Sequence, residues 1–346
     1  MKKIIINGRF LTQRITGVQR YAREICAELD KLVKPDELIM AVPPETTDIP
    51  EYKNIKVVKV GWFHNRLWEH ISFPLYVLSQ KATSLNLCNV APLLSPGIVC
   101  IHDMKIKATP QFFSTKFLLW YRLLFFNATK RAKKIITVSN FSKSEIIKYY
   151  GVDENKIVVA PNGWQHFARI NYDENTLARY GLEKDSYYFA MSSLEPNKNF
   201  KWIAEQAVKN SNDLYVVAGS INEKVFSEGL GFKCPDNMKL IGYVSDEEAK
   251  TLMRDCKAFL FPSIYEGFGI PPLEAMSAGA KQVFVSDTKV MHEVFRDSVT
   301  YIESNISYMG DIGEKKGARI VLETYSWTQS AKKLRNLLKQ LESKIR

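Results

Sequence analysis

Short apolar segments alternate with segments of helical periodicity along this chain, and this alternation constrains its fold more than any other feature. It is typical of parallel α/β sheets, in which a helix returns the chain to the same edge after each strand. Helices are predicted over residues 18–32, 142–149, 199–209 and 246–255. The predicted strands are KIIIN, LIMAV, IKVVKV, GIVCI, KIITV and KIVVA in the first half, and YYFAM, LYVVAG, KLIGY, AFLFP and QVFVS in the second.

A break at residues 161–166 (PNGWQH) separates the two sets of strands. A chain of 346 residues is long enough for two domains of about 150 residues each. We therefore predict one Rossmann-like domain over residues 1–164 and a second over residues 165–325. Leucines at helical spacing predict an amphipathic helix within residues 326–346, which could pack back on the first domain.

The excess positive charge lies entirely in the first half. Residues 1–164 carry 24 basic and 13 acidic side chains, whereas the remaining residues carry 24 of each. This asymmetry indicates an anionic partner for the first half, which could be a membrane surface, a phosphorylated acceptor or nucleic acid. The five cysteines are scattered without C-x-x-C spacing, so we expect reduced thiols in a cytoplasmic protein and neither disulfides nor zinc.

Residues 111–134 combine large apolar side chains at helical spacing with a basic end. A helix of this composition is typical of an anionic lipid interface. It is equally typical of a core helix whose basic end precedes the next strand. The sequence leaves both readings open, and we expect peripheral association with the inner face of the plasma membrane if the first is right.

Two glutamates, Glu266 and Glu274, lie on either side of a Gly-Phe-Gly turn and a Pro-Pro pair, directly after the apolar strand AFLFP. Ligands of parallel α/β sheets bind outside the carboxyl ends of the strands. The turn allows the amides of Phe268, Gly269 and Ile270 to point at an anion, helped by the N-terminus of the next helix. Glu274 is expected in the first turn of that helix, where a carboxylate stays ionised and accepts from sugar hydroxyls. The pattern predicts a site for a phosphorylated, hydroxyl-rich ligand.

Lys198 follows the strand YYFAM in a short loop that opens a helix. Its ammonium group could there neutralise a pyrophosphate leaving group. Ser193 in the same loop is a further candidate for phosphate contact. The sequence contains no Asp-x-Asp pair to hold Mn²⁺ or Mg²⁺, so we expect a metal-independent reaction without a cofactor.

At these motifs the chain resembles the retaining glycosyltransferases of family 4, whose GT-B architecture places two Rossmann-like domains on either side of a cleft. The resemblance implies that residues 1–164 form the acceptor-binding domain and residues 165–325 the nucleotide-sugar-binding domain. The resemblance covers nearly the whole chain and includes the E-x7-E pattern and the segments TGVQRYAREI, CIHDM, SSLEPNKNF and LIGYVSDEEAKTLM. It implies that Glu266 contacts hydroxyls of the donor sugar, that Glu274 contacts the ribose, and that Lys198 contacts the diphosphate.

The same resemblance implies roles for residues outside these loops. Gly17 would approach the donor diphosphate, and His102 would be the active-site histidine near the reacting centre. Tyr243 and Val244 would lie near the base. Most family members also carry an arginine shortly before the lysine, where this chain has serines, and Arg14 or Arg20 is our candidate for the missing cation.

The implied activity is transfer of a hexose from a nucleotide-diphosphate sugar, with GDP-mannose favoured, to a lipid-linked surface polysaccharide. The resemblance further implies retention of the anomeric configuration. Two alternatives remain open: a noncatalytic protein that binds nucleotide sugars, and a basic protein that binds nucleic acid. No helix-turn-helix, zinc-finger or RNP pattern accompanies the charge, so we expect no nucleic-acid partner. A nicotinamide-dependent dehydrogenase is excluded because no G-x-G-x-x-G follows the first strand.

Overall fold

The computed structural model describes residues 3–191, 195–219, 234–302 and 318–343. The chain divides into two compact units. Unit 1 comprises residues 1–162 and 326–346, and unit 2 comprises residues 163–325. Ser193 lies outside the described residues. No described helix is both long and apolar enough to cross a membrane.

Unit 1 is built on a parallel sheet whose seven described strands run in the order β3-β2-β1-β4-β5-β6-β7. The strands are β1 Ile4–Asn7, β2 Leu38–Val42, β3 Lys56–Lys59, β4 Thr83–Asn86, β5 Ile98–Cys100, β6 Lys134–Thr137 and β7 Ile157–Val159. The helices are α1 Gly17–Asp30, α2 Asn65–Leu67, α3 Phe73–Ser79, α4 Lys105–Ala108, α5 Thr115–Arg131, α6 Asn140–Tyr150 and, from the end of the chain, α14 Trp327–Ser343. A 3-10 turn over Gly8–Thr12 follows β1, and a π-helical turn over Trp68–Ser72 joins α2 to α3.

Unit 2 contains a second parallel sheet, whose six described strands run in the order β10-β9-β8-β11-β12-β13. The strands are β8 Tyr187–Met191, β9 Leu214–Ala218, β10 Met238–Gly242, β11 Ala258–Phe261, β12 Val283–Ser286 and β13 Thr300–Ile302. The described helices are α7 Gln165–Ala168, α8 Thr176–Tyr180, α9 Phe200–Lys209, α10 Asp246–Asp255, α11 Ile270–Ser277, α12 Lys289–Phe295 and α13 Ala318–Thr324. The two doubly wound sheets confirm the predicted α/β class.

All of the predicted strands are present, but the sequence patterns missed β4 and β13. The strand β4 reads TSLN, and it is fully buried between β1 and β5. Its polar side chains are satisfied inside the sheet, because Asn86 Nδ2 donates to the carbonyls of Pro96 and Ile98 at 2.9 and 3.2 Å. This central strand is held in place by side-chain hydrogen bonds rather than by hydrophobic side chains. Apolar periodicity therefore cannot identify it.

The terminal helix α14 belongs to unit 1 and packs against α1. The Trp327 ring is buried and meets the ring of Tyr21 edge-on, with centroids 5.9 Å apart. The Thr328 hydroxyl donates to Glu28 Oε2 at 2.7 Å. The buried stripe of α14 therefore covers an apolar face of α1 that the sheet alone would leave exposed to water.

We expect Asn86→Ala to lower the free energy of unfolding of unit 1 by about 2–4 kcal/mol, because it leaves buried carbonyl groups without donors and opens a small cavity. Chemical denaturation monitored by circular dichroism measures this change. Asn155→Ala is the matched control, since Asn155 is exposed and a change at such a site shifts stability by less than about 0.5 kcal/mol. Equal stability of the two variants would contradict a structural role for the buried amide.

Candidate active site

Two loops of unit 2 emerge side by side because β8 and β11 are neighbouring parallel strands. Tyr188 and Phe189 of β8 are in register with Ala258 and Phe259 of β11. The carboxyl ends of parallel neighbours meet at one edge of a sheet, where ligands of such folds bind. The loop after β8 leads to α9, and the loop after β11 leads to α11.

Asn197 ties these two loops together. Its backbone carbonyl accepts from the amide of Ile264 at 2.9 Å, and the hydroxyl oxygen of Ser263 lies 3.3 Å from the same carbonyl oxygen. Its side-chain amide donates to the carbonyl of Tyr265 at 3.4 Å. Asn197 is buried, so the loop contacts are shielded from water. Adjacent Lys198 is thereby fixed in place opposite the second loop.

Lys198 and Glu266, both predicted site residues, form an ion pair across the two loops. Lys198 Nζ lies 2.6 Å from Glu266 Oε1, and the hydroxyl of Ser263 donates to the same oxygen at 2.6 Å. Less than a fifth of either charged side chain is exposed. A partly buried pair of this kind is screened less than a surface pair and keeps a fixed geometry.

Glu274 is paired with a histidine that the sequence analysis did not identify. His166 Nε2 lies 2.7 Å from Glu274 Oε1, and both side chains are buried. An ionised carboxylate only accepts hydrogen bonds, so Nε2 of the ring donates to it. His166 belongs to the four-residue helix α7 and follows the break between the units. No motif marks it, and only the fold brings it to a residue 108 positions away.

The expected place of Glu274 in the first helical turn is wrong. The helix α11 begins at Ile270, so Glu274 is its fifth residue and lies in the second turn. The stabilisation of an ionised carboxylate by a helix N-terminus falls off within the first turn. His166, rather than the helix end, is therefore the group that holds this carboxylate. No described residue donates a hydrogen bond to Oε2 of Glu274 or to Oε2 of Glu266, which leaves one acceptor on each for a ligand.

The loop between these glutamates is held in an unusual backbone conformation. Gly269 has φ +103°, and a Cβ added there would lie 3.0 Å from Met291 Cε. The Phe268 ring is buried edge-on against Tyr325, with centroids 5.1 Å apart. The amides of Phe268, Gly269 and Ile270 donate no hydrogen bond to another described residue. That they bind an anion at the start of α11 stays a prediction.

Tyr243 and Val244 lie in the turn after β10, two strands away from β8 in the same sheet. Val244 is buried and Tyr243 is exposed. Ser245 then caps α10, with a capping box completed by Glu248. These residues share the carboxyl edge of the sheet with Lys198 and Glu266.

The remaining predicted residues lie in unit 1. Gly17 is the exposed first residue of α1, and the Arg20 amide donates to the Thr16 carbonyl at 2.8 Å. His102 follows β5, and its Nε2 lies 2.8 Å from the carbonyl oxygen of Leu87. Since a carbonyl only accepts, Nε2 carries the hydrogen. Burial lowers the pKa of His102, with the Leu87 carbonyl and Asp103 opposing that shift. The neutral ring therefore has a lone pair at Nδ1.

In the described part of the chain, no group of three or more His, Cys, Asp or Glu side chains could hold a metal ion.

Comparison with known proteins identifies the class. The model of the glycosyl transferases group 1 matches residues 173–344, and that of glycosyltransferase family 4 matches residues 15–165. Sucrose-phosphate synthase from Thermosynechococcus elongatus superposes with a TM-score of 0.72 and 13% identity over 99% of this chain and 100% of that one. Anabaena Alr3699/HepE in complex with UDP and glucose superposes with a TM-score of 0.64 and 15% identity over 98% and 100%. The two sheets are therefore those of a GT-B glycosyltransferase.

The family follows from a closer relative. The O-antigen chain mannosyltransferase RfbU of Salmonella typhimurium is 32% identical over 322 residues, which cover 86% of each chain. This chain belongs to glycosyltransferase family 4, and it is similar to mannosyltransferases that build O-antigen chains.

We expect the imidazole of His102 to titrate with a midpoint below 6.5, because burial disfavours its charged form. In the unfolded chain the imidazole of His102 becomes protonated as the pH falls through about 6.5, whereas in the folded chain it stays neutral to a lower pH. The contribution of His102 to stability therefore falls as the pH drops below about 6.5, by up to about 1.4 kcal/mol per pH unit. Histidine ¹⁵N chemical shifts recorded against pH measure the midpoint, with the guanidinium-unfolded protein as control. A midpoint above that of the unfolded protein would show that the attraction between Asp103 and the charged imidazole outweighs the effect of burial on the pKa of His102.

Proposed function

We propose that this glycosyltransferase moves a mannosyl residue from GDP-mannose to a hydroxyl of a growing lipid-linked surface polysaccharide, with retention of anomeric configuration and without a metal ion. The observation that carries the proposed donor site is the shielded Lys198–Glu266 pair at the sheet edge, beside the helix α11 that bears Glu274. Similarity to the O-antigen mannosyltransferase RfbU supports the choice of sugar and of polymer.

Each charged group in the two loops suits one part of a nucleotide sugar. The ammonium group of Lys198 would bind the diphosphate, together with the amides that precede α11. Glu266 would accept from hydroxyls of the donor sugar through its open oxygen. Glu274, held by His166, would accept from the two hydroxyls of the ribose. Tyr243 and Val244, at the same sheet edge, would then lie near the base.

The chemistry depends on the leaving group. When the bond between the anomeric carbon and the phosphate oxygen breaks, negative charge develops on the diphosphate and positive charge on the sugar. Fixed donors at the phosphate stabilise this separation more than a strong base would. Lys198 supplies such a donor, and this role supports a reaction that needs no metal ion. The carboxylate of Glu266, already paired, stays beside the sugar as it becomes cationic.

Retention follows if the acceptor attacks from the face that the diphosphate leaves. The acceptor oxygen then bonds to the anomeric carbon, and its proton passes to the departing phosphate oxygen. His102 fits a supporting role near this centre. With Nε2 donating to Leu87, its Nδ1 lone pair can accept from a sugar hydroxyl and so orient the ring for attack.

We further propose that unit 1 associates peripherally with an anionic membrane at its cytoplasmic face. Residues 67–78 carry a stripe of four exposed apolar side chains, which are spaced four, four and three residues apart. The helix α5 carries a second stripe of three such side chains, which are spaced four and three residues apart. Both spacings place the side chains on one helix face. The exposed residues are Leu67, Ile71, Leu75 and Leu78 in the first stripe and Leu119, Leu123 and Phe126 in the second.

The two stripes belong to helical segments that touch each other. The rings of His70 and Trp120 meet edge-on with centroids 5.5 Å apart. Basic side chains accompany the stripes, with Lys116 at the start of α5 and Lys130 and Arg131 at its end. Paired apolar and cationic surfaces suit a bilayer that presents acidic headgroups. Of the two readings that the sequence leaves open for residues 111–134, the exposed stripe on α5 favours the membrane.

We expect Lys198→Ala to lower kcat/KM for transfer from GDP-mannose by about 10²–10³-fold, because a fixed donor to the developing phosphate charge is lost. Steady-state release of GDP, measured with and without EDTA, gives the rate, and we expect EDTA to leave it unchanged. Lys201→Ala is the matched control, since Lys201 lies three residues further on, is exposed and pairs only loosely with Glu205 at 3.9 Å. An equal loss of kcat/KM in Lys198→Ala and Lys201→Ala would contradict the proposed donor site. Turnover of other nucleotide sugars but not of GDP-mannose would contradict it as well.

We expect the double change Leu119→Ser and Leu123→Ser to weaken binding to vesicles containing phosphatidylglycerol by at least about tenfold, because each buried CH₂ contributes roughly 0.8 kcal/mol. Sedimentation with vesicles measures the bound fraction, and added salt should lower it. Val208→Ser serves as the control, because Val208 is an exposed apolar residue on unit 2. Binding that is insensitive to the double change and to salt would exclude this surface.

A further inference from the structure

A short segment of unit 2, residues 164–166, supplies the hydrogen-bond donor for the buried carboxylate of Glu274. His166 Nε2 lies 2.7 Å from Glu274 Oε1, and only 2% of the His166 side chain and 10% of the Glu274 side chain are exposed. We infer that His166 is a positioning residue for the nucleotide donor, which acts through Glu274 and gives the site a preference for ribose over 2′-deoxyribose. The inference rests on the proposed function and adds a residue and a selectivity to it.

The backbone around His166 is fixed by its neighbours in the chain. Trp164 Nε1 donates to a carbonyl of α13 at 2.8 Å, and Gln165 Nε2 donates to the Tyr325 carbonyl at 3.2 Å. Phe167 is buried, and its amide donates to the Trp164 carbonyl at 2.8 Å. The residues on both sides of His166 are therefore held by other parts of unit 2. This leaves the imidazole little freedom to turn away from α11.

The residues that anchor Gln165 also support the loop before α11. The Tyr325 ring is buried and meets the Phe268 ring edge-on, with centroids 5.1 Å apart. Phe268 thus rests on Tyr325. Through the hydrogen bond of Gln165 to Tyr325, this support is tied to the one that His166 gives Glu274. The loop and the carboxylate that follows it are therefore positioned together.

The hydrogen bond from His166 leaves Glu274 with a defined acceptor. An ionised carboxylate only accepts, and its two oxygens offer about four lone pairs. The imidazole takes one lone pair of Oε1, and no described residue donates to Oε2. Once Oε1 is fixed, the position of Oε2 is fixed too, because the carboxylate is planar and α11 holds the other end of the side chain. Two adjacent hydroxyls of a ribose can then donate to this group without rearranging the site.

Selection for ribose follows from the burial of this acceptor. A site whose buried polar group pairs with a substrate hydroxyl rejects the analogue that lacks the hydroxyl, because the group is then left unpaired. Ribose offers its 2′- and 3′-hydroxyls, whereas 2′-deoxyribose offers only the second. A carboxylate held by His166 loses a whole hydrogen bond with the deoxy compound. A carboxylate that is free to turn would compensate by moving toward the remaining hydroxyl or toward water.

Function accounts for the burial of this pair better than stability does. Replacing a buried ion pair by apolar residues of similar size is often neutral or stabilising, because desolvation of the charges offsets their attraction. In the same unit, His292 pairs with Asp287 at 2.6 Å although 52% and 50% of their side chains are exposed. A histidine and a carboxylate therefore need no burial to pair. What burial adds at Glu274 is an acceptor of fixed position, shielded from water.

His166→Phe tests the inference, because it keeps a ring in the buried position and removes the donor. We expect the KM for the nucleotide sugar to rise about ten- to a hundredfold, the loss of a hydrogen bond to a charged group. We expect kcat at saturating donor to change by less than about threefold, since the diphosphate separates the ribose from the bond that breaks. His166→Gln, whose amide can replace Nε2, should restore most of the donor affinity. The matched control is His292→Phe, which removes the exposed pair with Asp287.

A double-variant cycle shows whether His166 acts through Glu274. Changes at two residues that work as a unit are not additive. We expect His166→Phe to raise the donor KM when Glu274 is present and to change it little once Glu274→Gln has removed the carboxylate. Equal effects of His166→Phe in the two backgrounds would overturn the positioning role.

Binding of nucleotides separates this inference from the proposed choice of donor. The probes are GDP, UDP and ADP, each with its 2′-deoxy counterpart, and titration calorimetry measures their dissociation constants. A ribonucleotide preference of at least about tenfold that falls in His166→Phe, returns in His166→Gln and is kept in His292→Phe supports the inference, even if GDP-mannose is not turned over. No preference in the wild type, or an equal preference in the wild type and His166→Phe, overturns it even if GDP-mannose is the donor. Thermal unfolding of each variant confirms that the fold is intact.

Discussion

The parallel pairing of β8 with β11 is the constraint on which the proposed donor site depends. It brings two loops that are 68 residues apart in sequence to one sheet edge, where Lys198 and Glu266 form their ion pair. Asn197 then locks the loops together through contacts with the backbone of Ile264 and Tyr265. The cation that we propose binds phosphate and the carboxylate that we propose binds sugar are thus placed by strand order before any ligand arrives, which reduces the cost of organising such a site.

In the core of unit 1, hydrogen bonds likewise fix the positions of polar side chains from separate parts of the chain. A chain of hydrogen bonds runs from Asn86 in β4 through Asn7 at the end of β1 to Glu69 and Arg9. Buried polar networks of this kind are stable only when nearly every member is satisfied. Two buried atoms without a partner among the described residues, Arg9 Nε and the neighbouring His70 Nδ1, lie where the network reaches a cavity of about 240 Å³. The same network therefore holds the centre of the sheet and ends at the wall of the cavity.

Sequence patterns were most successful where local chemistry decides the outcome. The helix Asp246–Asp255 has the predicted limits, because Ser245 and Glu248 form a capping box that defines its start. They failed at β4, where polar side chains replace the apolar ones that mark a strand, and at β13, whose sequence TYI contains only one fully buried side chain. They also placed Glu274 one turn too early, since the helix begins at Ile270, before the two prolines.

The sequence by itself determined the α/β class, the strands of apolar composition and the loop-and-helix segment that carries Glu266 and Glu274, because each depends on residues close together in the chain. Tertiary structure alone decided the partner of each charged group: His166 for Glu274, Ser263 and Lys198 for Glu266, and the carbonyl of Leu87 for His102. It also decided that a π-helical turn, two asparagines and α5 enclose one cavity. The physical reason is that hydrogen bonds and burial act over a few ångströms in space, whatever the distance along the chain.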